Sequence, residues 1–160
     1  MKRTILAALF TCLALACDRH HDHDHDGHHH HGEGGHAHKA PNGGVLVEFG
    51  EEACHLEFLR DDANASRMIL FAHKFHPQEI YLQLSMAQIE VVAKVGGGER
   101  VLVFTPVANA TLGNNATHSS EYEAAADWLQ DTPAFEARVA RLTYPGGEEH
   151  NKTFQFTKED

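Results

Sequence analysis

Short apolar segments in which hydrophobic and polar side chains alternate recur through residues 41–160 of the chain. The first of them places Val45, Val47 and Phe49 on one face. Successive side chains of a β-strand point to opposite faces of the sheet, so this two-residue period is typical of half-buried strands. Glycine, proline and asparagine separate the segments, as they do between the strands of antiparallel sheets.

The alternation predicts eight or nine short strands. They cover residues 45–49, 53–59, 67–73, 79–84, 88–94, 100–104, 135–144 and 152–157. Residues 120–126 are predicted as a further strand or a helical turn, and helix is confined to one turn near residues 125–130. The third segment is apolar on both faces, which indicates a central strand. The expected fold is mostly β, an antiparallel β-sandwich of about eight strands, with an open β-barrel as the alternative.

The N-terminus has the pattern of an export signal. Lys2 and Arg3 precede an apolar run over residues 5–16, which is too short to span a bilayer as a mature helix. The run ends in small residues before Cys17, and it resembles a bacterial lipoprotein signal. We therefore expect residues 1–16 to be a signal peptide and Cys17 to carry the lipid anchor, with ordinary secretion as the alternative. The mature protein would lie in the bacterial envelope, facing the periplasm or the cell exterior.

Residues 17–40 form a tail rich in histidine and aspartate. No apolar residue larger than alanine occurs between residues 18 and 38, so we expect this segment to be disordered. Imidazole is the commonest protein ligand for transition metals, and aspartate adds negative charge and oxygen donors. The tail is predicted to bind several divalent ions, Zn, Ni, Cu or Co. Its candidate ligands are His20, His21, His23, His25, His28, His29, His30, His31, His36 and His38. The alternative is that the tail is only a solubilising linker.

The net charge of the chain limits the kinds of binding partner that we expect. The chain carries a formal net charge of −10 with neutral histidines, which argues against binding to nucleic acid and anionic lipid and suits cations. Residues 41–160 are long enough for one domain with its own core. If Cys12 leaves with the signal and Cys17 is lipidated, Cys54 is alone and no intramolecular disulfide forms. We expect Cys54 to be a core residue.

A second candidate metal site lies in the strand region. His73 and His76 have HxxH spacing just before Pro77, where a turn could gather the two rings. His55 is the third candidate ligand, and the alternative is that these are three unrelated histidines. His118 and His150 are predicted to stand alone in polar loops.

Motifs of the common hydrolases and nucleotide-binding enzymes are missing. The sequence contains neither GxSxG nor HExxH, and its glycine triplet at residues 96–98 lacks the lysine of a phosphate-binding loop. We therefore do not expect an enzyme. A metallohydrolase that uses His55, His73 and His76 is the catalytic alternative.

Several short motifs resemble a group of uncharacterised His-rich exported bacterial lipoproteins. That group has a His-rich leader, a Pro-x-Gly-Gly turn and a small β domain, and its leaders are similar to those of heavy-metal efflux adaptor subunits. The motifs are Pro41-Asn42-Gly43-Gly44 with the strand after it, His55-Leu56-Glu57, residues 105–109 and Trp128-Leu129. Asn42 stands where the group has histidine. The resemblance implies metal handling but no particular reaction.

These observations predict a membrane-anchored protein of metal homeostasis that buffers divalent metal or delivers it at the membrane. A metal transporter or efflux adaptor is the expected protein partner. The alternative is an interaction module of a metal-efflux or envelope system in which the tail serves as a spacer. Binding of metal by the tail separates the two hypotheses.

Overall fold

The computed structural model of the chain describes residues 38–158, so the predictions for the signal, Cys17 and the first nine tail histidines lie outside the described residues. Each strand forms where the sequence alternates apolar and polar residues. The described residues form nine strands, which are β1 (Val45–Phe49), β2 (Cys54–Arg60), β3 (Arg67–Lys74), β4 (Ile80–Tyr81), β5 (Ile89–Val95), β6 (Gly98–Pro106), β7 (Glu121–Ala125), β8 (Ala134–Tyr144) and β9 (Gly147–Thr157). A short 3₁₀ helix, Asp127–Leu129, precedes β8.

All the strands belong to one antiparallel sheet. Its order is β1-β2-β3-β7-β6-β5-β8-β9, and β4 pairs with β3. The end strands β1 and β9 also approach one another, so the sheet is nearly closed and barrel-like. The predicted mostly β, antiparallel fold is confirmed. Of the two arrangements that the sequence allowed, the described strands adopt the barrel-like one.

The core lies inside this curved sheet. Cys54, Leu56 and Phe58 of β2 are fully buried in it, together with alternate residues of β3. Strand β3 is central, as its two apolar faces predicted, because it pairs with β2, β4 and β7. None of the helical residues in the described part of the chain makes a segment with the length and apolarity needed to cross a membrane.

Two predicted elements have different bounds in the structure. The strand predicted at residues 79–84 shrinks to Ile80–Tyr81, and Leu84 makes only an isolated bridge with Ser119. The last strand begins at Gly147 rather than at residue 152. Its first half is polar on both faces, so hydrophobic alternation could not indicate it. The prediction that His150 lies in a loop was therefore wrong, because it pairs with Arg141 of β8.

Candidate metal centre

The outer face of β2 carries two buried polar side chains. His55 and Glu57 point away from the core side of the strand, yet they are only 2% and 0% exposed. Residues 38–44, which lead into β1, contact both side chains: His38 packs against His55, and Asn42 and Gly44 donate to Glu57. Phe75 also packs edge-on against His55. We call residues 38–44 the strap. His38 belongs to the same compact unit as the strands.

Glu57 holds the strap in place through hydrogen bonds. Its Oε1 accepts from the backbone N–H groups of Asn42 at 2.8 Å and Gly44 at 3.0 Å. Its Oε2 accepts from Asn42 Nδ2 at 2.8 Å and from His73 Nε2 at 2.9 Å. Four donors therefore satisfy one buried carboxylate. We call this group of Glu57, Asn42, Gly44 and His73 the clip.

The clip keeps the Glu57 carboxylate ionised. Burial by itself raises the pKa of Glu57, but the hydrogen bonds from His73, Gly44 and Asn42 outweigh burial and hold that pKa below its usual value. A carboxylate whose lone pairs are all engaged has no coordination position left for a metal ion. The His73–Glu57 pair is therefore a structural contact.

The predicted trio of His55, His73 and His76 does not come together around one point among the described residues. His55 and His73 lie opposite one another in the β2–β3 register, but His73 is directed to Glu57. The Nδ1 atom of His55 is buried without a hydrogen-bond partner. Burial and the neighbouring His38 lower the pKa of His55 and favour its neutral form, against the opposing influence of Glu48 and Glu52. Of the trio, His76 alone joins the cluster of converging donors.

That cluster consists of His38, Glu52 and His76. One ligand atom from each residue lies within 4.8 Å of the other two. His76 Nε2 is 3.1 Å from Glu52 Oε2, and His38 Nε2 is 3.9 Å from Glu52 Oε1. The side chains are 47%, 24% and 14% exposed for His76, Glu52 and His38. The cluster therefore opens to solvent on the His76 side, where an ion can enter.

Two connections and the strap supply the three side chains. Glu52 lies in the tight turn between β1 and β2, where it adopts a left-handed backbone with φ 75°. Residues other than glycine seldom adopt this conformation, and those that do are concentrated at ligand-binding and active sites. His76 follows the end of β3, where the sequence predicted that Pro77 would end the strand. His38 begins the strap.

Aromatic packing fixes the His38 ring. It stacks on Phe75 with ring centroids 4.2 Å apart and an interplanar angle of 5°. It meets His55 edge-on at 5.2 Å and lies 5.0 Å from the His76 ring. Phe75 is itself buried, so the surface on which the imidazole packs is held in place. A ligand held in this way loses little rotamer freedom when it binds an ion.

The donor set suits a divalent transition metal. Two imidazole nitrogens and one carboxylate oxygen form the ligand triple found in many zinc sites, and imidazole also binds copper, nickel and cobalt. Three protein ligands leave at least one position for water or a further ligand. These donor types do not favour Mg²⁺ or Ca²⁺, which prefer oxygen ligands throughout.

The other candidates are placed apart from this cluster. His150 lies on β9, where its Nε2 is 2.8 Å from Glu148 Oε1, and His118 lies in an exposed loop beside Thr117. Cys54 is buried in the core as predicted, and burial, with a smaller effect of Glu149, raises its pKa to about 12. Such a thiol is a poor ligand and nucleophile.

Sequence reasoning missed Glu52 and assigned His38 to the tail. Glu52 follows Glu51 in a turn, and adjacent carboxylates in a turn are usually solvated, so the sequence does not distinguish Glu52 as a ligand. The available signal was its position in a four-residue turn next to a histidine-bearing strand. Strand register then places that turn beside the end of β3.

Comparison with known proteins gave no match. No family model, no curated protein and no solved structure matches this chain.

Proposed function

We propose that this protein binds divalent transition metal ions in the bacterial envelope, as a lipid-anchored protein with two kinds of site. The His-rich tail collects ions loosely, and the cluster of His38, Glu52 and His76 on the barrel holds one ion in a more fixed geometry. The observation that carries the proposal is the convergence of three donor atoms within 4.8 Å of one another. The lipid anchor and the location rest on the signal pattern that ends at Cys17.

The position of the cluster supports a link between the two kinds of site. His38 is the last histidine of the tail and also one of the three converging side chains. An ion bound on the barrel is therefore joined by the chain itself to the nine other histidines. A tethered ligand has a high effective concentration at such a site, which favours exchange of ions between tail and barrel.

The two sites differ in the ordering that binding requires. The tail has many ligands but no apolar residue larger than alanine, so we expect it to lose conformational entropy around each ion, which lowers its affinity. The barrel cluster is already assembled on a turn, a strand end and the strap, so less entropy is lost on binding. We expect the barrel to bind more tightly per ion, and the tail to add on the order of two to four weaker ions.

Calorimetric titration of the purified full chain with Zn²⁺ or Ni²⁺ tests the proposal. His76→Ala should remove one tight ion and leave the weaker ones. His150→Ala is the matched control, because His150 is also exposed and also pairs with a glutamate. It should leave every binding step unchanged.

Equal loss in both variants would rule out the barrel site. Binding by the parent chain with no tight step would confine metal chemistry to the tail. Absence of any binding at sub-millimolar metal would remove the proposal and favour the interaction module with the tail as spacer.

A further inference from the structure

The three side chains of the cluster, His38, Glu52 and His76, lie in segments that are not equally constrained by strand pairing. Glu52 and His76 lie in short connections that β-strands fix at both ends. His38 lies upstream of the first strand, at the start of the strap, and no strand pairing holds it. The position of its imidazole depends on the stacking against Phe75 and on the contacts that fix the strap to the barrel.

The clip supplies that fixation. Three of its four hydrogen bonds join Glu57 to the strap, at Asn42 and Gly44. They connect the strap to a strand at the centre of one side of the barrel, because β2 is paired on both edges. Asn42 donates to Glu57 through both its backbone N–H group and its side-chain amide, so two hydrogen bonds hold this one residue.

Close packing at Gly44 tightens the same contact. A Cβ atom at this position would lie 2.5 Å from the backbone oxygen of Phe58 and 2.8 Å from Leu59 Cγ. The strap therefore touches the β2 backbone directly, and only glycine allows the approach. The five residues between Gly44 and His38 then lead to the stacking position on Phe75.

We propose that Glu57 and Asn42 are positioning residues of the metal site, which hold the strap so that His38 reaches Glu52 and His76. This inference rests on the proposed function. Neither residue touches the ion. Their effect on metal affinity passes through the placement of His38, in the way that outer residues orient ligands in other metal sites.

A second consequence follows from linkage. If the strap must be docked for the ion to have three ligands, the bound ion also stabilises the docked strap. Metal binding and clip formation then reinforce one another by the same factor. The base of the His-rich tail is consequently held more firmly to the barrel when the site is loaded.

The test uses a full chain in which the nine histidines between residues 20 and 36 are replaced by serine. We call it the tail-substituted chain. In this chain, the measured Zn²⁺ affinity is that of the barrel site alone. The key variant is Asn42→Asp, which keeps the size of the side chain but removes the amide donor to Glu57 and places a second negative charge beside it. Zn²⁺ affinity is measured by competition with a chromophoric chelator.

The direction in which Asn42→Asp changes Zn²⁺ affinity distinguishes the clip mechanism from a simple effect of charge. Added negative charge close to a cation site strengthens binding by simple electrostatics. The clip mechanism predicts the opposite, a loss of about 10- to 100-fold. Asn42→Ala should show a smaller loss, because it removes the amide donor without adding repulsion.

A control for general destabilisation is Leu102→Ala, which opens a cavity in the core on β6, a strand that carries no residue of the cluster or the clip. At a temperature where both proteins are fully folded, it should leave Zn²⁺ affinity within about twofold of the parent, because additivity holds between separated sites. Unchanged or stronger binding in Asn42→Asp would overturn the positioning role, whereas the site itself would stand if His76→Ala still abolished binding. Absence of binding in the tail-substituted parent would overturn both.

Discussion

Two glutamates on the same side of the barrel each meet histidine, and they have opposite characters. Glu57 is fully buried, and two backbone N–H groups, one amide and His73 use all of its oxygen lone pairs. Glu52 is partly exposed and lies between two imidazoles whose nitrogens face it at 3.1 and 3.9 Å. Residue types are the same in the two pairs, and the difference lies in burial and in the donors around the carboxylate.

This contrast explains why one pair is structural and the other is suited to metal. A saturated buried carboxylate stabilises the fold but has no coordination position to offer. A carboxylate shared by two histidines at the surface stabilises little by itself, because exposed ion pairs contribute about 0–1 kcal/mol. Its geometry instead brings three donors to one point.

The largest effect should come from removing the buried carboxylate. Glu57→Ala leaves the clip donors of Asn42, Gly44 and His73 without their acceptor, and breaking such a buried pair costs about 3–5 kcal/mol. Urea denaturation measures this change. The matched control is Glu90→Ala on the exposed side of β5, where we expect a change within about 0.5 kcal/mol. Similar losses in the two variants would show that the clip contributes no special stability.

A smaller effect is expected from crowding the clip. Gly44→Ala would place Cβ 2.5 Å from the Phe58 backbone oxygen, and forced overpacking of this kind costs about 1–3 kcal/mol. The neighbouring Gly43 has φ 78° but open space around its Cβ position, so Gly43→Ala should cost only about 1 kcal/mol from the left-handed backbone. Equal costs would mean that the strap does not press against β2.

Acid should weaken the clip as well. The pKa of Glu57 is lower in the folded chain than in the unfolded chain, so the unfolded state binds more protons in the window between the two values. The stabilisation is complete above the unfolded pKa and is lost as pH falls through the folded pKa. Because Asp61 and Glu148 also have lowered pKa values, the useful quantity is the difference in unfolding free energy between the parent and Glu57→Gln. That difference should shrink as the pH falls below about 4.5. A constant difference across this range would contradict an ionised Glu57.

The smallest effect on stability belongs to Glu52. Its left-handed backbone, φ 75°, suits glycine, so Glu52→Gly should leave stability unchanged or raise it by up to about 1 kcal/mol. The same change should weaken Zn²⁺ binding of the tail-substituted chain by more than about tenfold, because one of three ligands is lost. Thermal denaturation with and without metal measures both effects. A clear loss of stability without metal would place Glu52 in the same structural class as Glu57.

The strands could be predicted from the sequence wherever apolar and polar residues alternate. Strand β5 illustrates the rule, since Ile89, Val91 and Ala93 are all buried, although Val92 on its other face is buried as well. The pattern failed at the first half of β9, where polar residues occupy both faces, and it could not choose between a sandwich and a nearly closed barrel. That choice depends on how far the sheet curls, which is a property of long-range pairing.

The candidate site was only partly readable, for a related reason. The turn that exposes His76 follows from Pro77, a local signal. The meeting of His38 with Glu52 depends on the strap folding back over β2, and no periodicity encodes that path. His55 and Glu57 alternate with core residues, a pattern typical of a solvent-facing side of a strand, yet both side chains are buried. Local sequence therefore indicated His76 and His38 as candidate ligands in two separate sites, and only tertiary contacts bring them together with Glu52.

The most direct test of the central contrast is a crystal of the full chain grown with Zn²⁺ and measured at the zinc absorption edge. The account predicts an anomalous peak between His38, Glu52 and His76, with nitrogen and oxygen ligands at about 2.0–2.2 Å. No peak should lie beside Glu57 and His73, and the clip hydrogen bonds should be intact. A zinc ion bound to Glu57 and His73, or an ordered barrel with zinc nowhere on it, would contradict the assignment of one glutamate to structure and the other to metal.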